Sequence, residues 1–208
     1  MSNIVYVGGQ KGGTTKSTTG HLLCLGAILM KQPAAYVLTD PNRQLKPEGR
    51  PYGVIDGRDP SKLAQIIVAS RNMENGWLVI DGGGNRPDFD RAMAAEADLC
   101  LLPFRDSEED LEAVALDLKA IPTAWAWPSA WPTNKQARVH SAQPLIDALS
   151  GAFPSRIIIP PMYFVNSAKE LLGASLDNPS TPVRNAARRA FEVMKAHYKA
   201  RFALEITV

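Results

Sequence analysis

The segment Gly8-Gly9-Gln10-Lys11-Gly12-Gly13-Thr14-Thr15-Lys16-Ser17-Thr18 gathers the residue types that grip a polyphosphate. Glycines let a backbone turn tightly, so successive N–H groups can point at one anion. A helix opening at about Lys16 adds the positive end of its dipole. From there the Lys16 ammonium reaches the β- and γ-phosphates of a nucleotide, and the Ser17 hydroxyl can ligate Mg²⁺. Gly12, Gly13, Thr14, Thr15, Lys16, Ser17 and Thr18 are therefore the expected cradle. Gln10 and Thr15 stand where the standard P-loop pattern has glycine. A glycine-rich turn without a ligand would not need a strand, a Lys-Ser pair and a helix in this order.

Two carboxylates lie at the ends of apolar runs. Asp40, in Thr39-Asp40-Pro41-Asn42, follows the run Ala35 to Thr39. Alone it reads as an ordinary Asp-Pro turn. Its place 24 residues after Lys16, at a strand end, makes it a candidate for the same site. Asp81 ends Trp77-Leu78-Val79-Ile80 and is followed by Gly82, Gly83 and Gly84. An aspartate there can hold Mg²⁺ through water, and the glycines suit a loop that senses a γ-phosphate. The plainer reading of that segment by itself is a strand-ending Asp-Gly turn.

The elements that must position these groups alternate along the chain. Strands are expected at Asn3 to Val7, Ala35 to Thr39, Trp77 to Ile80, Asp98 to Pro103, Thr123 to Trp127 and Arg156 to Ile159. Helices are expected at Thr18 to Met30, Ser61 to Arg71, a segment ending near Ala120, Pro144 to Leu149 and Pro182 to Phe202. Asp106 with Glu109 resembles a capping box for the third of these. Residues 40 to 60, rich in proline and glycine, read as one long loop. The alternation predicts an α/β fold: one doubly wound domain over residues 1–208, a mostly parallel sheet with helices on both faces. In such a sheet ligands bind outside the carboxyl ends of the strands, where all three unusual loops fall.

Lys11-Gly12-Gly13-Thr14-Thr15-Lys16-Ser17 resembles the deviant Walker A motif of the ParA/MinD family of P-loop ATPases, K-G-G-x-x-K-[ST]. The resemblance is clear from Asn3 to about Pro103 and holds only in outline beyond; in length and in its Asp81 segment the chain is most similar to the small plasmid-partition members. It implies ATP and Mg²⁺ as cofactors and hydrolysis as a switch. It implies that Lys11 crosses an ATP-dependent homodimer interface to the partner's phosphates. Lys16 would act on the phosphates in cis, Asp40 would orient the attacking water, and Ser17, Asp40 and Asp81 would surround the metal. Asn134, in a loop after a late strand, is the candidate for adenine, and Pro160-Pro161-Met162 is a second such loop. Three positions depart from the family pattern: Thr15 for Gly or Ala, Leu38 for the first aspartate of the Asp40 segment, and Asn42 for Gln. A β-branched residue narrows the backbone at position 15. Losing the carboxylate at position 38 bears on turnover more than on binding.

Composition narrows the partners less. The chain has 208 residues, 45% of them hydrophobic, with net charge +2, which does not by itself mark a nucleic-acid binder. Residues 184–201 nevertheless carry +5, leaving −3 for the rest. At helical spacing Arg184, Arg188, Lys195 and Lys199 share one stripe, beside an apolar stripe of Val183, Ala187, Phe191, Met194, Tyr198 and Phe202. Either this is a packed helix with a solvated basic face, or it contacts DNA phosphates without sequence preference, as the resemblance implies for an ATP-bound dimer. The closing FALEITV lacks a basic apolar tail, so no membrane helix is expected. Cys24 and Cys100 sit in apolar runs and read as core, as do Trp125, Trp127 and Trp131 for core and rim packing. The opening MSNIVYVGGQ does not read as a signal peptide, so a cytoplasmic protein is expected, nucleoid-associated where it binds DNA. A small activating partner protein is also expected. Against this DNA-positioning ATPase stand a metabolic P-loop ligase or kinase and a nucleotide-binding assembly factor for conjugation or secretion.

Overall fold

The computed structural model describes the backbone of residues 3–205 and the side chains of residues 3–200. Six parallel strands form one sheet in the order β3-β2-β4-β1-β5-β6. They are β1 (Asn3–Val7), β2 (Ala34–Leu38), β3 (Gly53–Asp56), β4 (Trp77–Asp81), β5 (Leu99–Phe104) and β6 (Ala124–Pro128). The helices are α1 (Lys16–Leu29), α2 (Pro60–Arg71), α3 (Pro87–Glu96), α4 (Glu108–Ala120), α5 (Lys135–Ala137), α6 (Gln143–Ala152) and α7 (Thr181–Glu205). The central strands are apolar at successive positions because both their faces are covered. Along β1, Val5 and Val7 face a core shared with α1 and α7, while Ile4 and Tyr6 face one shared with α2, α3, α4 and α6.

Helix α1 is buried on nearly all sides, which explains its unbroken run Leu22-Leu23-Cys24-Leu25. One side lies on the sheet and the other under α7. The two helices approach so closely that a Cβ at Gly26 would fall 2.2 Å from the Ala187 carbonyl oxygen. Val183, Ala187, Phe191 and Met194 are fully buried on that side of α7, as their spacing predicts. The Phe202 side chain lies outside the described residues.

Strand register aligns the loops. Val7 pairs with Asp81 and Leu101, and Leu38 pairs with Asp81 and Asp56. The glycine-rich loop, Asp40, Asp81 and the ends of β5 and β6 thus meet along one rim.

Four expectations are corrected. Residues 40–60 contain β3, a four-residue edge strand hidden in the sequence between Pro51 and Gly57. Helix α3 forms directly after the glycines, with Pro87 in its first turn and Asp88 and Asp90 favouring its positive end. Helix α4 is capped by Ser107, whose hydroxyl accepts from the Asp110 N–H at 3.2 Å, one residue beyond the expected Asp106. The segment 156–159 makes a single bridge, Ala126 to Ile157, rather than a strand; Ser155 turns into it at positive φ and Pro160-Pro161 cuts it off.

Candidate nucleotide site

The loop after β1 is shaped by three residues at positive φ: Gly9 at 119°, Gly13 at 77° and Thr15 at 68°. Glycine adopts such angles freely, but for a β-branched residue they are an outlier. Thr15 is held there by its own hydroxyl, 2.6 Å from the Ser129 hydroxyl just past β6. Ser129 is buried and in turn donates to the Phe104 carbonyl at 3.2 Å. The outer face of the loop is open, since a Cβ at Gly12 or Gly13 would meet nothing within 4 Å.

Lys16 is 8% exposed and folds over this loop, its ammonium donating to the Lys11 carbonyl at 2.7 Å. Burial lowers its pKa, against the pull of Asp81, Asp90 and Asp117. Ser17 lies beside Asp81, whose carboxylate is fully buried and takes a hydrogen bond from the Tyr36 hydroxyl. Burial raises the Asp81 pKa, partly offset by these two hydroxyls. Its Oδ1 lacks a well-formed hydrogen bond, with the Ser17 hydroxyl beside the carboxylate. An orphaned carboxylate oxygen next to a serine hydroxyl fits a hydrated Mg²⁺, a hard cation that favours oxygen and keeps its waters. Among the described residues no group of three or more His, Cys, Asp or Glu could hold a metal, so any ion here leans on phosphate and water.

Asp40 lies just past β2 and packs against the loop after β4, 3.5 Å from where a Gly83 Cβ would stand. It accepts from the Asn42 N–H at 2.9 Å and pairs with Arg43 at 3.5 Å. Thr39 is tied to the Asp81 carbonyl through its hydroxyl at 2.7 Å, and Arg86 donates to the Thr39 carbonyl at 2.7 Å. The loops carrying Asp40 and Asp81 are therefore tied to each other. Leu38, in the place of a carboxylate, is a core residue.

Lys11 is held differently. Its ammonium lies 2.6 Å from Asp110 and 3.0 Å from Glu109, both at the start of α4. The Asp110 hydrogen bond raises the lysine's pKa. Burial would raise the Asp110 carboxyl, but bonds from Arg105 and Lys11 outweigh it and hold the group below the usual carboxylate range. One helical stretch further, Asp117 accepts from the Gln10 N–H at 3.1 Å. Asp110 and Asp117 are seven residues apart on α4 and so share a face. That spacing was a readable sign that α4 grips the loop. Asp90, which takes a hydrogen bond from the Tyr6 hydroxyl and keeps Oδ2 unpartnered, lay in the unanticipated α3. Tyr6 and Tyr36 look like plain strand residues in sequence, and nothing there marks their hydroxyls.

Beside Thr15 a cavity of about 370 Å³ opens between α1 and the last third of the chain. Thr18, Leu22, Met162, Phe164, Val165 and Asn166 line it. Asn134 does not: it caps α5, accepting from Gln136 and Ala137. The second expected loop, Pro160-Pro161-Met162, reaches the cavity through Met162. On α7, Arg188 and Lys199 are exposed, Arg184 donates to Thr181 at 3.2 Å, and Lys195 lies over the Phe191 ring at 5.9 Å.

No protein-family model matches the chain, and no curated protein matches it significantly in sequence. Solved structures do match. McdA from Cyanothece superposes with TM-score 0.63 at 15% identity, over 91% of this chain and 99% of that one. The fold is that of the ParA/MinD-type ATPases. A putative plasmid partition protein of Borrelia burgdorferi, bound to AMPPNP, shares this ParA/MinD-type fold at TM-score 0.64 and 10% identity, over 95% of this chain and all of that one (100%). Cobyrinic acid a,c-diamide synthase of Mycobacterium smegmatis, with ADP and magnesium, matches at 0.63 and 12% identity, over 96% of each chain. Among the described residues no helix is long and apolar enough to cross a membrane.

Proposed function

We propose that this chain binds Mg²⁺-ATP at the loop Gly8–Thr18 and hydrolyses it slowly, as a switch that pairs two copies and so positions DNA. The observation that carries the reading is the different holding of the loop's two lysines. Lys16 is buried over an open glycine cradle, and Lys11 is tethered at the rim by an ion pair that a competing phosphate can replace. Solved proteins of the same fold bind AMPPNP, ATP or ADP with magnesium, which supports the nucleotide.

In this reading the amides of Gly12 to Ser17 and the start of α1 hold the phosphates. Lys16 exchanges the Lys11 carbonyl for phosphate oxygens. Ser17 and Asp81, with Asp40 nearby, would hold Mg²⁺, which supplies neutralising charge for the phosphates when bound. Asp40 orients water, and its tie to the Asp81 loop lets both sense the γ-phosphate. The base enters the cavity beside Thr15, with Asn166 rather than Asn134 offering polar contacts. Lys11 leaves Asp110 and reaches the partner copy's phosphates. With Leu38 in place of a carboxylate, turnover is slow and an activating partner protein is needed.

The basic stripe of α7 supplies DNA contacts. Four cations per copy neutralise few phosphates, so a monomer binds weakly and a dimer releases about twice the counterions, doubling the slope of log affinity against log salt. A mobility-shift titration with ATP and ADP tests this. ATP-dependent binding, weakened by Arg184→Glu/Arg188→Glu while hydrolysis persists, is the expected result. Binding that ignores nucleotide, or none at low salt, discards DNA as cargo. Leu38 and Thr15 favour a second reading for that outcome, a nucleotide-binding assembly factor with weak hydrolysis.

A further inference from the structure

A smaller cavity of about 140 Å³ lies across β2 from the nucleotide loop, and no loop residue lines it. Its wall carries Arg43, Lys46 and Arg50 with His21, Tyr36 and Leu172, and no acid. Arg50 is 9% exposed, yet among the described residues its guanidinium meets only neutral groups, the carbonyls of Leu171 and Gly173 at 3.0 Å each and of Glu48 at 3.4 Å, and the Tyr52 hydroxyl. Its Nε is buried with no partner. Lys46 likewise donates only to the Leu172 carbonyl, at 2.8 Å. Among the described residues neither Lys46 nor Arg50 forms a salt bridge, and Arg43 has only its long pair with Asp40.

A guanidinium keeps its charge in any protein environment, and a buried charge without a counter-charge is costly. Three cations around one pocket also repel one another. Burial, then Arg50, Arg43 and Lys46, push His21 down to about 3, so its ring stays neutral and adds no charge. The arrangement lacks only its anion. We infer that this cavity binds a small multivalent oxyanion of the inorganic phosphate class, held between Arg50, Lys46 and Arg43. A cavity of this size has room for a tetrahedral ion. Phosphate, with several acceptor oxygens, can take the unpartnered Arg50 Nε together with donors of Arg43 and Lys46.

The site connects to the nucleotide loop through two groups. The Tyr36 ring stacks on His21 at 3.9 Å while its hydroxyl holds Asp81, and Arg43 also pairs with Asp40. An anion that draws Arg43 away therefore frees Asp40. The inference stands whether or not the chain hydrolyses ATP.

Amide-resolved NMR of the whole chain tests it, with sodium phosphate titrated against sodium chloride at equal ionic strength. Amides of residues 43–46 and 48–50 and of His21 are expected to shift and saturate at about millimolar phosphate. Phosphate at the nucleotide loop shows separately, at Gly12 to Ser17. Lys46→Glu, at a partly exposed position, should weaken the first set at least about tenfold and leave the second, and Arg50→Lys should weaken it less. Shifts that chloride reproduces, that never saturate, or that survive Lys46→Glu would overturn the inference. So would a response confined to Gly12 to Ser17, which would leave the nucleotide-loop reading untouched.

Discussion

The two ends of the phosphate loop are built by different means. At the inner end, Lys16 and Ser17 begin a helix packed between the sheet and α7, and Thr15 is locked by a buried hydroxyl. At the outer end, the Gln10 N–H and the Lys11 ammonium are held by side chains of α4, while the Gln10 carbonyl accepts from the Asn85 N–H at 2.9 Å and the Lys11 carbonyl from Lys16. The inner end is a braced cradle in which the backbone is set and, in the proposed reading, Lys16 has only to exchange the Lys11 carbonyl for phosphate. The Lys11 side chain there is an arm whose position depends on replaceable ionic contacts. A switch needs both: a rigid part that always binds and a movable part that reports what is bound.

The sharpest way to break that contrast is at the inner end. Lys16→Ala should cost about 100-fold or more in ATP affinity, since a charge-assisted contact to phosphate is worth about 2–3 kcal/mol and nothing nearby replaces it. Calorimetry showing equal affinity would end the cradle reading.

Next in size is the outer anchor. Asp110 joins Lys11, the Arg105 side chain and the Arg105 N–H. Asp110→Ala should lower stability by about 1–3 kcal/mol, discounted for the half-exposed arginine, while leaving ATP affinity nearly unchanged. The folded-state pKa of Asp110 is depressed, so its contribution is present above the unfolded value and lost as pH falls through the folded one. The stability gap between wild type and Asp110→Ala should therefore hold at neutral pH and shrink progressively below about pH 4. Asp81, Asp90 and Asp117, raised by burial, carry the opposite sign and favour the fold more as they are protonated. A gap that widened in acid would contradict the assignment.

The smallest expected effect concerns Thr15. A non-glycine residue at this φ costs about 1–3 kcal/mol, and the Ser129 bond returns about 0.5–1.5 kcal/mol. Thr15→Gly should then be neutral or slightly stabilising. Ser129→Ala should cost about 1 kcal/mol more with Thr15 present than after Thr15→Gly, where only its bond to the Phe104 carbonyl remains to be lost. Additive thermal unfolding data for the pair would show that the two hydroxyls are not coupled.

Much of this was legible in the chain. The long apolar strands and α7 announce themselves through periodicity, because a buried parallel sheet and a helix packed on one face leave strong patterns. The glycine loop, Asp40 and Asp81 follow strands whose register the sequence does not state, yet their order along the chain suffices to bring them to one rim. Strand β3 escaped because four residues between proline and glycine carry no period. Helix α3 escaped because the eye stops at three glycines, although Pro87 with Asp88 and Asp90 is a helix start. Asn134 and Met162 could not be told apart in sequence, since the loop of one follows β6 just as that of the other follows the bridged segment, and only the packing of residues 162–172 against α1 brings Met162 to the cavity. The anchoring of the loop by α4 left one trace in the sequence, the acid pair Asp110 and Asp117 seven apart on one face, although an acid at Asp110 also suits the first turn of a helix.

The central claim is that Lys11 is an arm released by ATP to join two copies. Light scattering of Asp40→Ala protein, chosen to prevent turnover, measures it most directly. The account predicts twice the monomer mass in Mg²⁺-ATP, the monomer mass in Mg²⁺-ADP, and the monomer mass in both for Asp40→Ala/Lys11→Ala with ATP still bound. A monomer in ATP, or a dimer that survives Lys11→Ala unchanged, would contradict it.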